Sequence, residues 1–146
     1  MPQADRSGPT GTDSGRVPAV SLDQSFDSDT LVSLRSAVAA HGNALGLAGE
    51  RLELLIVVAH ELASNAVRHG GGWGRLLLWR DGNEVCCRVI DDGPGLSQTD
   101  PNSWRVPPPV RAEGGRGLYF VQALADAVTV RADRTGTTVT VRFLVS

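Results

Sequence analysis

The sequence predicts an α+β domain. Two stretches carry apolar residues at the 3.6-residue period of a helix, and a later stretch places Asp-Gly-Asn between two apolar runs, which is typical of a β-hairpin. The chain has 146 residues, the size of one domain, and this length is enough to bury about two thirds of the surface that the unfolded chain exposes. We therefore expect a single core that is built from both kinds of element.

The N-terminal part predicts a tail, a short strand and a helix. Residues 1–15 are rich in Gly, Pro, Ser, Thr and Asp, so we expect a disordered tail there and a folded domain over 16–146. The segment "VPAVSL", residues 17–22, is predicted to be an edge strand, because an edge is where a strand tolerates proline. Ser28 or Asp29 can then cap a helix that stops near Gly42.

A second helix is expected to start between residues 48 and 50, with a long apolar stripe, and to end at the glycines 70–72. Glu61, Asn65 and His69 follow one another at a spacing of four residues beside this stripe, with Arg68 close by. This spacing places a ridge of polar side chains along one edge of the core-facing surface.

The second half of the chain predicts two pairs of strands around one more helix. The strands "WGRLLLWR" and "EVCCRVID" form the hairpin, and "AVTVRAD" and "TTVTVRFLVS" follow at the end of the chain. Between the pairs, residues 97–113 have no periodicity and carry a run of prolines, as lids and disordered loops do. The stretch "GRGLYFVQALAD" then begins a helix directly on glycine.

The composition excludes several classes of function. The net charge of −2 gives no basic field for nucleic acid or an anionic membrane, so neither is expected as a partner. All 14 basic residues are Arg, which excludes a P-loop and a eukaryotic-type protein kinase, since both need a lysine on the phosphates. Cys86 and Cys87 are adjacent in a strand and should point to opposite faces as ordinary strand residues. No apolar run is long enough to span a membrane and no leader is visible, so we expect a cytoplasmic protein.

Two stretches carry side chains suited to a metal and a base. In "ELASNAVRH" the oxygen of Asn65 can bind Mg²⁺, and Glu61, one turn earlier, can take a proton from an attacking hydroxyl; the alternative is a solvated polar face. In "VIDDGPGL" a carboxylate can accept a hydrogen bond from an exocyclic amino group, and Gly93 and Gly95 let backbone approach a flat ring; the alternative is an ordinary tight turn.

Two further stretches involve glycine. In "EGGRGL" glycines lead into the N-terminus of a helix, which is an anion site, although glycine clusters are also common in loops. Thr137 and Thr138 follow Gly136 at the start of the last strand, and taken alone they indicate only a turn.

In this order, "ELASNAVRH", "DDGPG", "GGRGL" and "GTTVTV" resemble the N, G1, G2 and G3 boxes of the GHKL ATPases, the superfamily of gyrase, MutL and the histidine kinases. The resemblance covers roughly residues 17–145. It implies the Bergerat ATP-binding fold, a two-layer α+β sandwich in which helices cover one face of a mixed, mostly antiparallel sheet. ATP and Mg²⁺ are the cofactors that the resemblance implies.

The length of the chain favours one branch of this superfamily. Gyrase and MutL need large further domains, and a histidine kinase needs a phosphoacceptor histidine on a pair of dimerisation helices, a setting that neither His41 nor His60 has. The chain is therefore similar to the stand-alone anti-sigma-factor serine kinases of bacterial partner switching. This implies phosphorylation of an anti-sigma-factor antagonist, binding of a sigma factor and a possible homodimer. The alternative is a binding module in which ATP sets the lid and no phosphate is transferred.

The resemblance also implies a role for individual residues. Asn65 would be the Mg²⁺ ligand, Glu61 the base and Asp91 the partner of the adenine amino group. Thr137 would support adenine through its hydroxyl or a water, and residues 97–113 would form the ATP lid, with Arg105 or Arg111 at the γ-phosphate. The other residues expected to contact the nucleotide are Arg68, His69, Gly93, Gly95, Gly115, Arg116, Gly117 and Leu118.

Overall fold

The structure, a computed structural model, describes residues 20–93 and 118–145, and five strands of these residues form one sheet. In chain order the elements are β1 (Leu22–Asp27), a short 3₁₀ helix (Ser28–Thr30), α1 (Leu31–Ala44), α2 (Gly49–His69), β2 (Trp73–Asp81), β3 (Glu84–Asp91), α3 (Leu118–Leu124), β4 (Ala127–Asp133) and β5 (Gly136–Leu144).

The strands lie in the order β1-β2-β3-β5-β4, and every neighbouring pair in this described sheet is antiparallel. The predicted α+β class is confirmed, and the four pairings are uniformly antiparallel where the prediction allowed a mixed sheet. Strand β5 lies between β3 and β4, so β3 pairs with a strand that follows it only after α3 and β4. This crossover places the end of β3 beside the start of β5.

The helices pack on one face of the sheet, as predicted, and the main core fills the space between the two layers. Its fully buried side chains include Leu34, Val38, Leu55, Val58, Leu76, Leu78, Val85, Val141 and Phe143. A separate, smaller apolar cluster lies on the opposite face of the sheet, which we call the outer face. This cluster contains Leu77, Trp79 and Cys86, with Ile90 packed against it.

Cys86 and Cys87 point to opposite faces, as the strand alternation predicts: Cys87 joins the main core and Cys86 the outer cluster. Both are free thiols and both are buried. Burial raises the pKa of the Cys87 thiol to about 12 and that of Cys86 to about 11. Both thiols therefore stay protonated near neutral pH, and reactivity requires the thiolate.

The first strand lies further along the chain than predicted. The strand is Leu22–Asp27, "LDQSFD", whereas "VPAVSL" was expected; of that segment only residues 20–22 are described, and Val20 and Ser21 precede the strand. Leu22 and Phe26 point into the core and pair with β2 opposite Leu78 and Gly74. All the residues between Leu22 and Phe26 are polar, so the sequence does not show the apolar–polar alternation that is typical of a strand. The edge position is confirmed.

A 3₁₀ helix precedes the first α-helix, which begins and ends later than expected. Asp27, rather than Ser28 or Asp29, caps this 3₁₀ helix: its carboxylate accepts from the Asp29 N–H at 2.9 Å, and the Thr30 hydroxyl accepts from the Asp27 N–H at 2.8 Å. Thr30 is the N-cap of α1 and makes no side-chain capping bond there. Gly42 does not stop the helix, which continues to Ala44. A Cβ at Gly42 would come within 2.7 Å of the Leu55 side chain, so this glycine allows α1 and α2 to pack closely.

The other elements agree with their predictions. Helix α2 starts within the expected window, and its C-cap is Gly70, whose N–H donates to the Ala66 carbonyl at 2.7 Å. The predicted hairpin joins β2 to β3, and Gly82 in its turn has a φ of 64°, which favours glycine. Among the described helices, none is long and apolar enough to cross a membrane.

Candidate functional site

Two buried polar residues lie where β3 ends and β5 begins. Asp91 and Thr137 are paired directly across these two strands, and their side chains are only 5% and 2% exposed. Both stand on the face of the sheet that the helices cover, since they continue the core-facing alternation of Val89 and Val139. A buried hydroxyl beside a buried carboxylate at a strand end indicates a candidate binding site, because burial of polar groups costs free energy that contacts within the fold or with a ligand must offset.

The Thr137 hydroxyl is buried without a hydrogen-bond partner among the described residues. Leaving such a group unsatisfied costs about 1–3 kcal/mol. The neighbouring Asp91 carboxylate accepts from the Gly93 N–H at 3.1 Å. A ligand with a polar atom for this hydroxyl and a donor for the neighbouring carboxylate would contact both side chains at once.

Backbone contacts at glycines surround Asp91. A Cβ at Gly70 would overlap the Asp91 carboxyl group, and a Cβ at Gly136 would overlap the Asp91 carbonyl oxygen. A Cβ at Gly93 would overlap the backbone of Gly70. These glycines bring the end of α2, the end of β3 and the start of β5 into contact around Asp91.

The polar ridge of α2 reaches the same end of the sheet. Asn65 is only 2% exposed, and its side-chain oxygen accepts from the Arg68 guanidinium at 2.9 Å. The same guanidinium nitrogen lies 4.0 Å from the Glu61 carboxylate, which is half-buried. Asn has a lower helix propensity than Ala by roughly 0.6 kcal/mol, and the bond to Arg68 offsets part of this cost. Arg68 therefore bridges the predicted metal ligand and the predicted base.

The donor set at Asn65 is consistent with magnesium held through a nucleotide. Among residues 20–93 and 118–145, no three His, Cys, Asp or Glu side chains come together as a metal site. Mg²⁺ takes oxygen ligands and usually keeps several waters, with substrate phosphates completing its shell. Asn65 can supply one such oxygen, provided that Arg68 yields it.

The structure describes eight of the predicted site residues and brings them to one end of the sheet and its covering helices. Glu61, Asn65, Arg68 and His69 lie in the last three turns of α2, with His69 exposed as its final residue. Leu118 opens α3, but its side chain is buried in the core, so a role at a ligand would fall to its backbone. The remaining described ones are Asp91, Gly93 and Thr137.

Several predictions lie outside the described residues: the tail 1–15, the lid 97–113 with Arg105 and Arg111, and the glycine-rich box with Gly115, Arg116 and Gly117, together with Gly95. The sequence interpretation missed Gly70 as part of the site and treated it only as a helix stop. The signal was present, because three consecutive glycines at 70–72 exceed what a C-cap requires.

Comparisons with known proteins agree with this architecture. The family model of the histidine kinase-like ATPase domain matches residues 25–143. Among solved structures, the histidine kinase AdeS of Acinetobacter baumannii is similar at 16% identity and a TM-score of 0.55, over 86% of this chain and 68% of that chain. The catalytic domain of the histidine kinase ThkA is similar at 12% identity and a TM-score of 0.54, over 84% of this chain and 95% of that one. No curated protein sequence matches the chain.

Proposed function

Because the chain belongs to the family of histidine kinase-like ATPase domains, within the GHKL superfamily, we propose that it binds Mg²⁺–ATP where α2, β3 and β5 meet. Membership implies ATP binding and kinase-like activity in general. The observation that carries the proposal for this chain is the buried pair of Asp91 and Thr137, whose hydroxyl lacks a partner among the described residues. Adenine has an amino group that can donate to the Asp91 carboxylate, and ring nitrogens that can accept from the Thr137 hydroxyl.

The adenine end of the site follows from hydrogen-bond chemistry. An ionised carboxylate only accepts, so Asp91 would take the amino group of adenine and reject the carbonyl that guanine carries at the same place. The Thr137 hydroxyl would bond to the base or to a water beside it. Gly70 lies against the Asp91 carboxyl group, Gly93 against the Gly70 backbone and Gly136 against the Asp91 carbonyl oxygen, so none of the three glycines places a side chain between this carboxylate and a flat ring.

The phosphate end would be formed by α2. Bound Mg²⁺ would supply charge neutralisation for the phosphates, and phosphoryl transfer depends mainly on such neutralisation and on positioning. Asn65 would offer its oxygen to the metal, and Arg68, released from Asn65, would be placed for an anionic oxygen. Glu61 lies one turn from Asn65 on the same face of the helix, where it could accept the proton of an incoming hydroxyl.

We propose further that the protein is a cytoplasmic serine protein kinase and anti-sigma factor of a partner-switching system. Its substrate would be an anti-sigma-factor antagonist, its other partner a sigma factor, and its working form a homodimer. The support is the joint presence of the four sequence boxes and of Glu61 beside Asn65, since binding without transfer requires no carboxylate there.

The second candidate is a nucleotide-dependent binding module without phosphoryl transfer. One observation favours it: the Arg68 guanidinium lies 4.0 Å from Glu61 and competes for the carboxylate oxygen that a serine hydroxyl would need. If Arg68 keeps that place with nucleotide bound, Glu61 cannot act as a base, and ATP would only set the shape of the surface that a partner recognises.

Replacement of Glu61 separates the two candidates. Glu61→Gln keeps the shape of the side chain and removes the base, so ATP affinity should change little while transfer to a partner serine falls by roughly 10² to 10⁴. The matched control is Glu53→Gln, because Glu53 is an exposed residue two turns earlier on the same helix. The assay is transfer of labelled phosphate from ATP to candidate antagonists from the same genome, with affinity measured by calorimetry.

If wild type and Glu61→Gln transfer phosphate at equal rates, Glu61 is not the base. Absence of transfer to every candidate antagonist, with ATP-dependent binding of a sigma factor, would establish the binding module instead. Absence of ATP binding by the wild-type protein would overturn the proposal as a whole.

A further inference from the structure

The outer face of the sheet carries an open groove of about 690 Å³. Its arginines lie on the side of the sheet away from the helices, and at one end the groove reaches Asp91, the strand-end residue whose neighbours on β3 alternate between the two faces. Four arginines line it, one from each of β2, β3, β4 and β5: Arg75, Arg88, Arg131 and Arg142. Ile90, four threonines and the half-exposed Trp73 also line it, and Asp91, the exposed Asp92 and Gly136 line the end where β3 ends and β5 begins.

Two of these arginines are already neutralised. Arg75 makes two hydrogen bonds to the Asp23 carboxylate, at 2.8 and 2.7 Å. Arg142 lies 3.5 Å from Asp81 and 3.4 Å from Glu84. Neither is available to a ligand without breaking an existing ion pair.

Arg88 and Arg131 are different, because neither forms an ion pair with a carboxylate among the described residues. Arg88 is half-buried on β3, and Arg131 is exposed on β4. The register places Thr140 opposite Arg88 and Thr138 opposite Arg131, with both threonines on β5 between them. Two positive charges thus flank a strip of hydroxyl groups on the floor of the groove.

The Arg88 side chain is held in place before any ligand arrives. Its Nε donates to the Thr140 hydroxyl at 2.9 Å, and its guanidinium carbon lies 5.1 Å from the centre of the Trp79 ring. These contacts leave the two terminal nitrogens without a hydrogen bond to the described residues. A fixed guanidinium loses less conformational entropy on binding than a mobile one.

The electrostatic setting of Arg88 also favours an anion. Burial is the main cause that lowers the pKa of Arg88, and the positive charges of Arg142 and Arg131 lower it further. The side chain remains charged at neutral pH, since an arginine in a protein does not lose its proton. A bound oxyanion would relieve this repulsion and replace the water that burial removes.

We propose that the outer groove is an anion-binding site, centred on Arg88 and Arg131, for a small multivalent oxyanion. The anionic groups would be phosphates or clustered carboxylates, which both match the donor geometry of a guanidinium. Ile90 and Trp73 would receive an apolar or flat part of the same ligand. Its two arginines are not among the residues of the proposed ATP site, although the groove reaches that site at Asp91 and Gly136.

The test is titration of the full chain with pyrophosphate, and separately with citrate, at constant ionic strength and without Mg²⁺, followed by amide chemical shifts. We expect saturable shifts at Arg88, Thr138 and Thr140. Arg88→Met keeps the apolar stem over Trp79, and Arg131→Gln changes only an exposed residue. Each should weaken binding at least tenfold, whereas Arg35→Gln, an exposed arginine of α1, should change it less than twofold.

Saturable binding of either anion at these positions supports the site. Tighter binding of pyrophosphate would indicate a phosphate ligand, and tighter binding of citrate would indicate a ligand with clustered carboxylates. Shifts confined to the part of α2 around Glu61 and Asn65, which does not line the groove, would overturn the proposal. Equal weakening by Arg131→Gln and Arg35→Gln would overturn it as well, because it would show attraction by net charge alone.

Discussion

Replacement of Thr137 by valine should stabilise the free protein and weaken its binding of ATP. Valine has nearly the same shape as threonine and also favours strands, so packing in β5 should be preserved. The change removes a buried hydroxyl that has no partner among the described residues, and with it a desolvation cost of about 1–3 kcal/mol. At roughly 3 °C per kcal/mol for a chain of this size, the melting temperature should rise by about 3–9 °C.

The same hydroxyl would bond to adenine or to its water in the proposed site, so Thr137→Val should lower ATP affinity by about 0.5–1.5 kcal/mol, or roughly twofold to tenfold. Thr140→Val is the matched control. Thr140 is equally buried on the same strand, but its hydroxyl accepts from Arg88 at 2.9 Å, so its loss should destabilise the protein by about 1 kcal/mol and leave ATP affinity unchanged.

Thermal unfolding without nucleotide and calorimetry with Mg²⁺–ATP measure the two effects. If Thr137→Val lowers the melting temperature as Thr140→Val does, the hydroxyl has a partner in the free protein and the reasoning fails. If ATP affinity is unchanged, Thr137 does not contact the nucleotide or its water.

Three further changes test other parts of the structure. Asn65→Ala should abolish the magnesium dependence of ATP binding, because a methyl group offers the metal no oxygen; calorimetry that finds the same affinity and dependence would exclude Asn65 from the site. Asp91→Asn should cost adenine nucleotides about 1.5–3 kcal/mol, at least roughly tenfold, and guanine nucleotides less, whereas equal weakening would contradict base recognition. Burial raises the pKa of Cys87 from 9.0 to about 12, so as pH rises the thiol ionises in the unfolded chain before it ionises in the folded protein. The free energy of unfolding should therefore fall as pH rises from 9 to 12. Urea unfolding should show wild type losing about 1 kcal/mol more than Cys87→Ala between pH 8 and pH 10, and equal losses would mean that the thiol is not buried.

Much of the fold was predictable because its signals are local. The apolar period of α2 and the turn at Gly82 specify their elements without reference to the rest of the chain. Strand β1 was placed too early, because only Leu22 and Phe26 of its six residues are buried and polar residues separate them. The role of Gly42 was also missed, since a glycine that lets two helices approach looks like a helix stop in sequence.

The sequence singles out candidate site residues but not their arrangement. The sequence boxes point to Asn65, Asp91 and Thr137 one by one, and their roles stay predictions. That Asp91 faces Thr137 depends on β5 lying between β3 and β4, a crossover that no local pattern encodes. The bridge from Arg68 to both Asn65 and Glu61 depends on side-chain rotamers, which the spacing of four residues permits but does not specify.

The contact at Gly70 links the two ends of the proposed ATP site. Gly70 is the C-cap of α2, and its backbone lies against the Asp91 carboxyl group and against Gly93, closer than any side chain would allow. The helix that carries Glu61 and Asn65 therefore ends on the carboxylate that would recognise the base. Close-packed backbone cannot adjust as a side chain can, so a shift of the end of α2 would displace Asp91. In the proposed function, the binding of metal at Asn65 and of adenine at Asp91 would consequently be coupled through this glycine.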